Sequence, residues 1–228
     1  MLIGGLQKTT LLDYPDKLAA TIFTVGCNFR CSFCHNPDIV KGIAKVIPTS
    51  DVLDFLRKRK KLLDAVCVTG GEPTMQTGLI TFLKKLKSMG YLTKLDTNGT
   101  NYALLEKLIL RGLVDYVAMD IKAPWKKYAK VTCRKNDLSS IKKSVTMLKK
   151  GIVDYEFRST VLPELHSPED IVSMARQVKG SNKYYIQQFR PASKLVNQDF
   201  VEFKSYSKRQ LNEIIAGFKD WFKECKVR

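Results

Sequence analysis

Three of the six cysteines lie within eight residues, Cys27-Asn-Phe-Arg-Cys31-Ser-Phe-Cys34, while Cys67, Cys133 and Cys225 stand singly. This CxxxCxxC spacing puts three thiolates on one loop. They can hold three irons of a [4Fe–4S] cube and leave the fourth iron without a protein ligand. A tetrahedral zinc site wants a fourth Cys or His, and His35, adjacent to Cys34, turns onto the same metal only with difficulty. The spacing therefore favours the cluster over zinc. Disulfide scaffolds distribute their cysteines densely, so a trio with strays reads as a metal site in a reducing compartment. Gly70-Gly71-Glu72-Pro73 is a second candidate, because backbone without Cβ atoms can approach a bound group closely. Polar residues form a third set: Asp120 and Lys122 share one strand parity, and Asp96 and Thr97 precede an Asn98-Gly99 turn.

These residues follow a regular succession of elements. Apolar, β-branched-rich runs predict strands at 18–25, 65–69, 93–97, 116–121, 155–161 and 183–188. Helical spacing between them predicts a helix over 52–63 capped by Thr49 or Ser50, and one from a Thr77 cap through Leu86, closed by Gly90. Further helices are marked by Leu104, Leu105 and Leu108, by Ile141, Val145 and Leu148, and by the start signal Ser167-Pro168-Glu169-Asp170. The chain is expected to end in an amphipathic helix carrying Leu211, Ile214, Ile215, Phe218 and Phe222 on one side. Alternating strands and helices imply an α/β fold with right-handed βαβ units and a parallel sheet. A complete eightfold barrel takes about 250 residues, and only six units are visible, so one domain over 1–228 is expected. The cysteines, the glycines and Asp120 all sit at strand C-terminal ends, where such folds place their chemistry.

Composition narrows the class. The 228 residues are 44% hydrophobic and 27% charged, which argues against disorder. No apolar run reaches the roughly 18–20 residues of a membrane helix, and the opening MLIGGLQKTTLLDYP lacks the features of a signal peptide. A cytoplasmic protein is expected. The formal charge of +17 suits an acidic partner or solvated lysine-rich helix faces. The basic run 57–61 has no interleaved aromatics, which argues against nucleic acid and for a solvated face.

At these residues the chain resembles the radical S-adenosylmethionine (SAM) enzymes, whose hallmark is CxxxCxΦC with an aromatic at Φ, here Phe33, together with a GGEP turn. More specifically it is similar to the activating enzymes of glycyl-radical enzymes, in the subgroup serving anaerobic ribonucleoside-triphosphate reductase. The opening through residue 40, Cys34-His35-Asn36-Pro37, Leu95-Asp96-Thr97-Asn98-Gly99 and Met119-Asp120-Ile121-Lys122 carry that likeness. The eight-cysteine ferredoxin-like insert of some relatives is absent. The resemblance implies a partial TIM barrel, the (β/α)6 radical SAM core, with a [4Fe–4S] cluster on Cys27, Cys31 and Cys34 beside Phe33. It implies SAM held through Gly70, Gly71 and Glu72 at its amino group, with Asp120 near the ribose or a cation and Lys122 near the carboxylate. A monovalent cation at Asp96, Thr97 and Asp120 belongs to the same expectation. Arg158 and Gln188 could point into the site. Some activating enzymes have a His on strand six where this chain has Gln187-Gln188. His166 is expected to be a loop residue.

The implied reaction is reductive cleavage of SAM to methionine and a 5′-deoxyadenosyl radical, which takes hydrogen from a glycine of a large partner enzyme. A flavodoxin or ferredoxin-type protein would supply the electron. Six strands are too few to close the barrel, and the gap suits a peptide loop. The alternative within the superfamily is a small-molecule enzyme such as 7-carboxy-7-deazaguanine synthase. A zinc- or cluster-binding interaction protein would explain the cysteines but not the GGEP turn.

Overall fold

The computed structural model describes residues 1–135, 137–192 and 194–228. All six expected strands are present, as β2 (Ala19–Thr24), β3 (Ala65–Gly70), β4 (Leu92–Thr97), β5 (Tyr116–Asp120), β6 (Asp154–Val161) and β7 (Lys183–Gln188), flanked by β1 (Ile3–Thr10) and β8 (Glu224–Val227). They form one eight-stranded sheet in sequence order, with β1 antiparallel to β2 and every later pair parallel. The architecture is an α/β partial barrel. β2 and β3 are almost wholly buried, as strands covered on both faces must be, and this explains their near-continuous apolar runs.

The connections are α1 (Pro37–Lys41), α2 (Thr49–Arg59), α3 (Leu79–Ser88), α4 (Tyr102–Leu110), α5 (Tyr128–Thr132), α6 (Leu138–Leu148), α7 (Pro168–Gln177) and α8 (Lys208–Ala216). The Ser167 signal is realised as a capping box, with the Asp170 amide donating to Ser167 Oγ at 3.3 Å and the Ser167 amide to Asp170 Oδ2 at 3.0 Å.

Several boundaries differ from the sequence expectation. Pro48, not Thr49 or Ser50, precedes α2. The Thr49 hydroxyl donates instead to the Met1 carbonyl at 3.2 Å, and the Ser50 hydroxyl to Asp51. The helix stops at Arg59, although Leu63 beyond it is buried. Gly78, not Thr77, precedes α3. The terminal helix ends at Ala216, so Phe218 and Phe222 lie on the turn that follows, stacked near Tyr184 with Phe222 at 5.2 Å between ring centroids. That turn redirects the chain into β8, which extends the parallel sheet to seven strands. β1 escaped the sequence reading because only its ends, Ile3 and Thr10, are buried. It is an edge strand whose alternation is too weak to read.

Phe218 is 1% exposed and lies 5.8–6.5 Å from the rings of Trp221, Phe222 and Tyr184. Phe218→Ala should lower unfolding stability by about 3–5 kcal/mol, read as a fall in the urea midpoint with an unchanged slope.

Candidate active site

The loops leaving the C-terminal ends of β2, β3, β4 and β5 enclose one cleft. It contains about 830 Å³ of non-atom space, counting solvent at its mouth. Its wall carries Cys27, Cys31, Cys34 and Phe33 from the first loop and Gly70, Gly71 and Glu72 from the second. Asp96, Thr97 and Asn98 come from the third, and Asp120 and Lys122 from the fourth. The cysteines, Phe33, the Gly70–Glu72 turn, Asp96, Thr97, Asp120 and Lys122 therefore line one cleft, whereas Arg158 and Gln188 are not in its wall.

The cysteine loop is fixed by its backbone. Arg30 donates to the Cys27 carbonyl and, at 2.8 Å, to that of Phe29, while its amide donates to Thr132 at 2.9 Å. Val196 donates to the Cys34 carbonyl at 3.1 Å and Asn197 to that of Ser32 at 3.0 Å. The three thiols themselves are free. Burial pushes the Cys27 thiol up to about 11 and Cys31 up to about 12, against the pull of nearby Lys122. Among the described residues no three His, Cys, Asp or Glu side chains are arranged to hold a single metal ion. Phe33 is buried edge-on against His166 and Phe189, at 6.2 and 6.5 Å. Of the other cysteines, Cys67 is buried in β3, Cys225 lies on β8, and exposed Cys133 lies 3.4 Å from Ser32 Oγ.

The two glycines have a nearer purpose than ligand approach. A Cβ on Gly70, at φ +114°, would stand 2.3 Å from the Thr24 amide nitrogen, and one on Gly71 would stand 1.9 Å from the Gly26 carbonyl oxygen. Their hydrogen could be replaced by nothing larger, because the chain leaving β3 crosses the chain leaving β2. Gly71 and Glu72 amides donate across this crossing to Thr24 and Gly26, both at 2.8 Å.

Glu72 is 1% exposed. Its Oε1 accepts from the Thr74 amide at 3.1 Å and from the hydroxyls of Thr74 and Thr97 at 2.5 and 2.7 Å, and its Oε2 from the Asn98 amide at 2.7 Å. Burial pushes its pKa up and these donors oppose that shift. Asn98 continues the network, donating to Asn28 Oδ1 at 2.8 Å, and Asn28 donates to Thr100 at 2.9 Å. Glu72 is thus tied through Asn98 to the cysteine motif itself. Asn28 and Thr100 were not read from sequence, although Asn28 sits inside CxxxCxxC.

A row of charges crosses the strands. Lys94 pairs with Asp96 Oδ1, Arg158 Nη1 meets Asp96 Oδ2 at 3.3 Å, Arg158 Nε meets Asp120 Oδ1 at 3.1 Å, and Lys122 meets Asp120 Oδ2 at 3.0 Å. Burial alone would raise the Asp96 pKa, but Arg158 and then Lys94 hold it at about 2, and Asp120 is lowered by Arg158 and Lys122 in the same way. Lys94, too, was missed by sequence reasoning. The signal was its parity with Asp96 on β4, which repeats that of Asp120 and Lys122. Gln188 instead donates to the Tyr206 carbonyl at 2.6 Å, and Gln187 accepts from Thr160 at 3.3 Å. His35 lines the cleft and contacts the Arg190 carbonyl through Nε2 at 2.7 Å. His166 is fully buried, its Nδ1 accepting from the Leu162 amide at 3.4 Å and its Nε2 meeting the Lys122 carbonyl at 2.8 Å. It buttresses the strand end that carries Lys122. In the basic run, residues 57, 58, 59 and 61 are exposed, as a solvated face requires.

Comparison with known proteins agrees with this geometry. The Radical SAM superfamily pattern matches residues 21–178. A Methanocaldococcus jannaschii protein, named provisionally as a glycyl-radical enzyme activating enzyme, is 34% identical over 235 residues, covering 100% of this chain and 95% of its own. The pyruvate formate-lyase-activating enzyme of Listeria monocytogenes is 38% identical over 147 residues, 59% of this chain and 58% of its own. The crystal structure of Streptococcus suis SuiB shares the fold, with a TM-score of 0.70 at 15% identity, over 91% of this chain and 48% of that one. The chain belongs to the radical SAM superfamily, among the activating enzymes of glycyl-radical enzymes. It is an enzyme of that type.

Glu72→Gln turns an amide toward groups that donate, so it should cost about 2 kcal/mol and show as a lower urea midpoint. Acid provides a second check. The Asp96 carboxyl, ordinarily at 3.8, is held at about 2 in the folded state, so its stabilisation is complete above pH about 4 and lost as pH falls toward about 2. Urea midpoints should fall across that window, and more shallowly in Asp96→Asn.

Proposed function

We propose that residues 1–228 form a single radical SAM domain, a cytoplasmic activase that installs a glycyl radical on a large partner enzyme, anaerobic ribonucleoside-triphosphate reductase. Cys27, Cys31 and Cys34 would hold a [4Fe–4S] cluster, and SAM would bind in the same cleft. The observation that carries this reading is the shared cleft, where three free thiols, the Gly70–Glu72 turn and the Asp120–Lys122 pair face one another. When bound, the reduced cluster and SAM supply a 5′-deoxyadenosyl radical that abstracts hydrogen from the partner's glycine.

The protein's own groups bind and orient. Lys122 uses one of its ammonium hydrogens on Asp120 and has others for a ligand carboxylate. Asp120, with both oxygens paired to cations, stays ionised for a ribose hydroxyl. The Gly70 and Gly71 backbone offers close approach for the methionyl end, while Glu72 holds that turn in place. Phe29 and Phe33, both buried in the wall, keep water from the cysteine loop. The open sheet, with β1 and β8 as its edges, leaves a side where a peptide loop can enter. The electron comes from a flavodoxin or ferredoxin-type donor. Among the described residues no helix is long and apolar enough to cross a membrane.

The test is electron paramagnetic resonance of the anaerobic reductase after mixing with the reconstituted protein, SAM and dithionite. A glycyl-radical doublet on the reductase is expected. Cys27→Ala, Cys31→Ala or Cys34→Ala should each abolish it, while Cys133→Ala and Cys225→Ala should leave it. No doublet, together with turnover of a small substrate such as a pterin, overturns the activase reading.

A further inference from the structure

The activating-enzyme resemblance implies a monovalent cation on Asp96, Thr97 and Asp120, and the side chains present do not fit one. A cation is drawn to carboxylates whose charge is not already answered by neighbouring cations. Here each of the four carboxylate oxygens of Asp96 and Asp120 already faces a cationic nitrogen: Lys94 and Arg158 on Asp96, Arg158 and Lys122 on Asp120. The Thr97 hydroxyl is turned into the protein, donating to Glu72 Oε1 at 2.7 Å and accepting from the Gly99 amide at 3.1 Å.

Charge points the same way. Three cations, Lys94, Arg158 and Lys122, meet two carboxylates, so the row carries +1 before any ion enters. None of these side chains is more than 22% exposed, so water screens them little. An added cation would enter an already positive, largely buried row. The sheet register explains how the arrangement arises, because Arg158 on β6 is the direct neighbour of Asp120 on β5. Its side chain is therefore delivered to the Asp120 carboxylate and reaches Asp96 one strand further on. Guanidinium suits the post: it is always charged, and its fork presents separate N–H groups to two acceptors. Lysine has three donors on one nitrogen but no fixed fork to set the two carboxylates in one geometry.

We infer that the Arg158 guanidinium takes the place of the monovalent cation, bridging Asp96 to Asp120 at the strand ends, so that the SAM site of this protein needs neither potassium nor sodium. Arg158 is then a positioning residue, holding the two carboxylates through permanent charge. The inference builds on the SAM-site reading above, but its central claim concerns cation binding alone.

The experiment uses the cluster-reconstituted protein with potassium, sodium or choline as the sole monovalent cation at one ionic strength. Thallium(I) NMR, with thallium as a potassium surrogate, reports cation uptake, and calorimetry reports SAM affinity. The wild-type protein should leave the thallium resonance unshifted and bind SAM equally in all three salts. Arg158→Gln frees two carboxylate oxygens, so it should shift the resonance saturably and bind SAM about tenfold more tightly in potassium or sodium than in choline. A saturable thallium site in the wild type, or wild-type SAM affinity that rises with potassium, overturns the inference. So does a folded Arg158→Gln protein that takes up no cation. If that variant does not fold, the wild-type measurements decide by themselves. Failure to bind SAM in any salt, with thallium still unshifted, would overturn the SAM-site reading and leave the guanidinium assignment standing.

Discussion

A carboxylate with 1% of its surface exposed is tolerable only when donors surround it, and Glu72 has four. Two come from its own turn, one from Thr97 at the end of β4 and one from Asn98 just beyond it. The same carboxylate therefore fixes where the β3 and β4 exits stand relative to each other. Through Asn98 and Asn28 the tie extends to the cysteine loop after β2. Three loops are joined at this end by one connected hydrogen-bond network. Pairing of Thr24 with Gly70 and the two amide bonds beyond it hold the β2 and β3 exits together, and the Glu72 network adds the β4 exit to them.

That dependence changes what the GGEP turn means physically. From sequence, its glycines and its acid read as parts that face a ligand. In the fold they first face protein: the glycines allow two backbones to cross, and the acid collects donors. A ligand-facing role is built on that scaffold, since the same residues also line the cleft. The turn's place in the cleft wall is set by that crossing, in which the Gly71 and Glu72 amides donate to the Thr24 and Gly26 carbonyls.

The six parallel strands and the residues at their C-terminal ends were legible because each signal was local. An apolar run followed by a short polar motif marks both a strand and the place where it stops. What stayed hidden depends on partners distant in sequence. β1 and β8 are edges whose burial is decided by neighbours, and Phe218 and Phe222 look helical in spacing while serving a turn that packs on Tyr184. Lys94 reads as a polar interruption of a buried strand until Asp96 and Arg158 are placed beside it. His166 gives no sign in sequence that it props the carbonyl of Lys122, a contact across 44 residues.

The backbone crossing at Gly71 and Gly26 carries a consequence for how this chain can vary over time. With a prospective Cβ only 1.9 Å from the opposing carbonyl oxygen, no change confined to the β3 loop makes room for a side chain at position 71. Room appears only if the β2 loop retreats, and that loop carries the cysteines. Substitutions on the two loops are therefore epistatic: one that is harmful alone becomes acceptable only after its counterpart has moved. The two loops are constrained to change as a pair, although Gly26 and Gly71 are 45 positions apart in the chain.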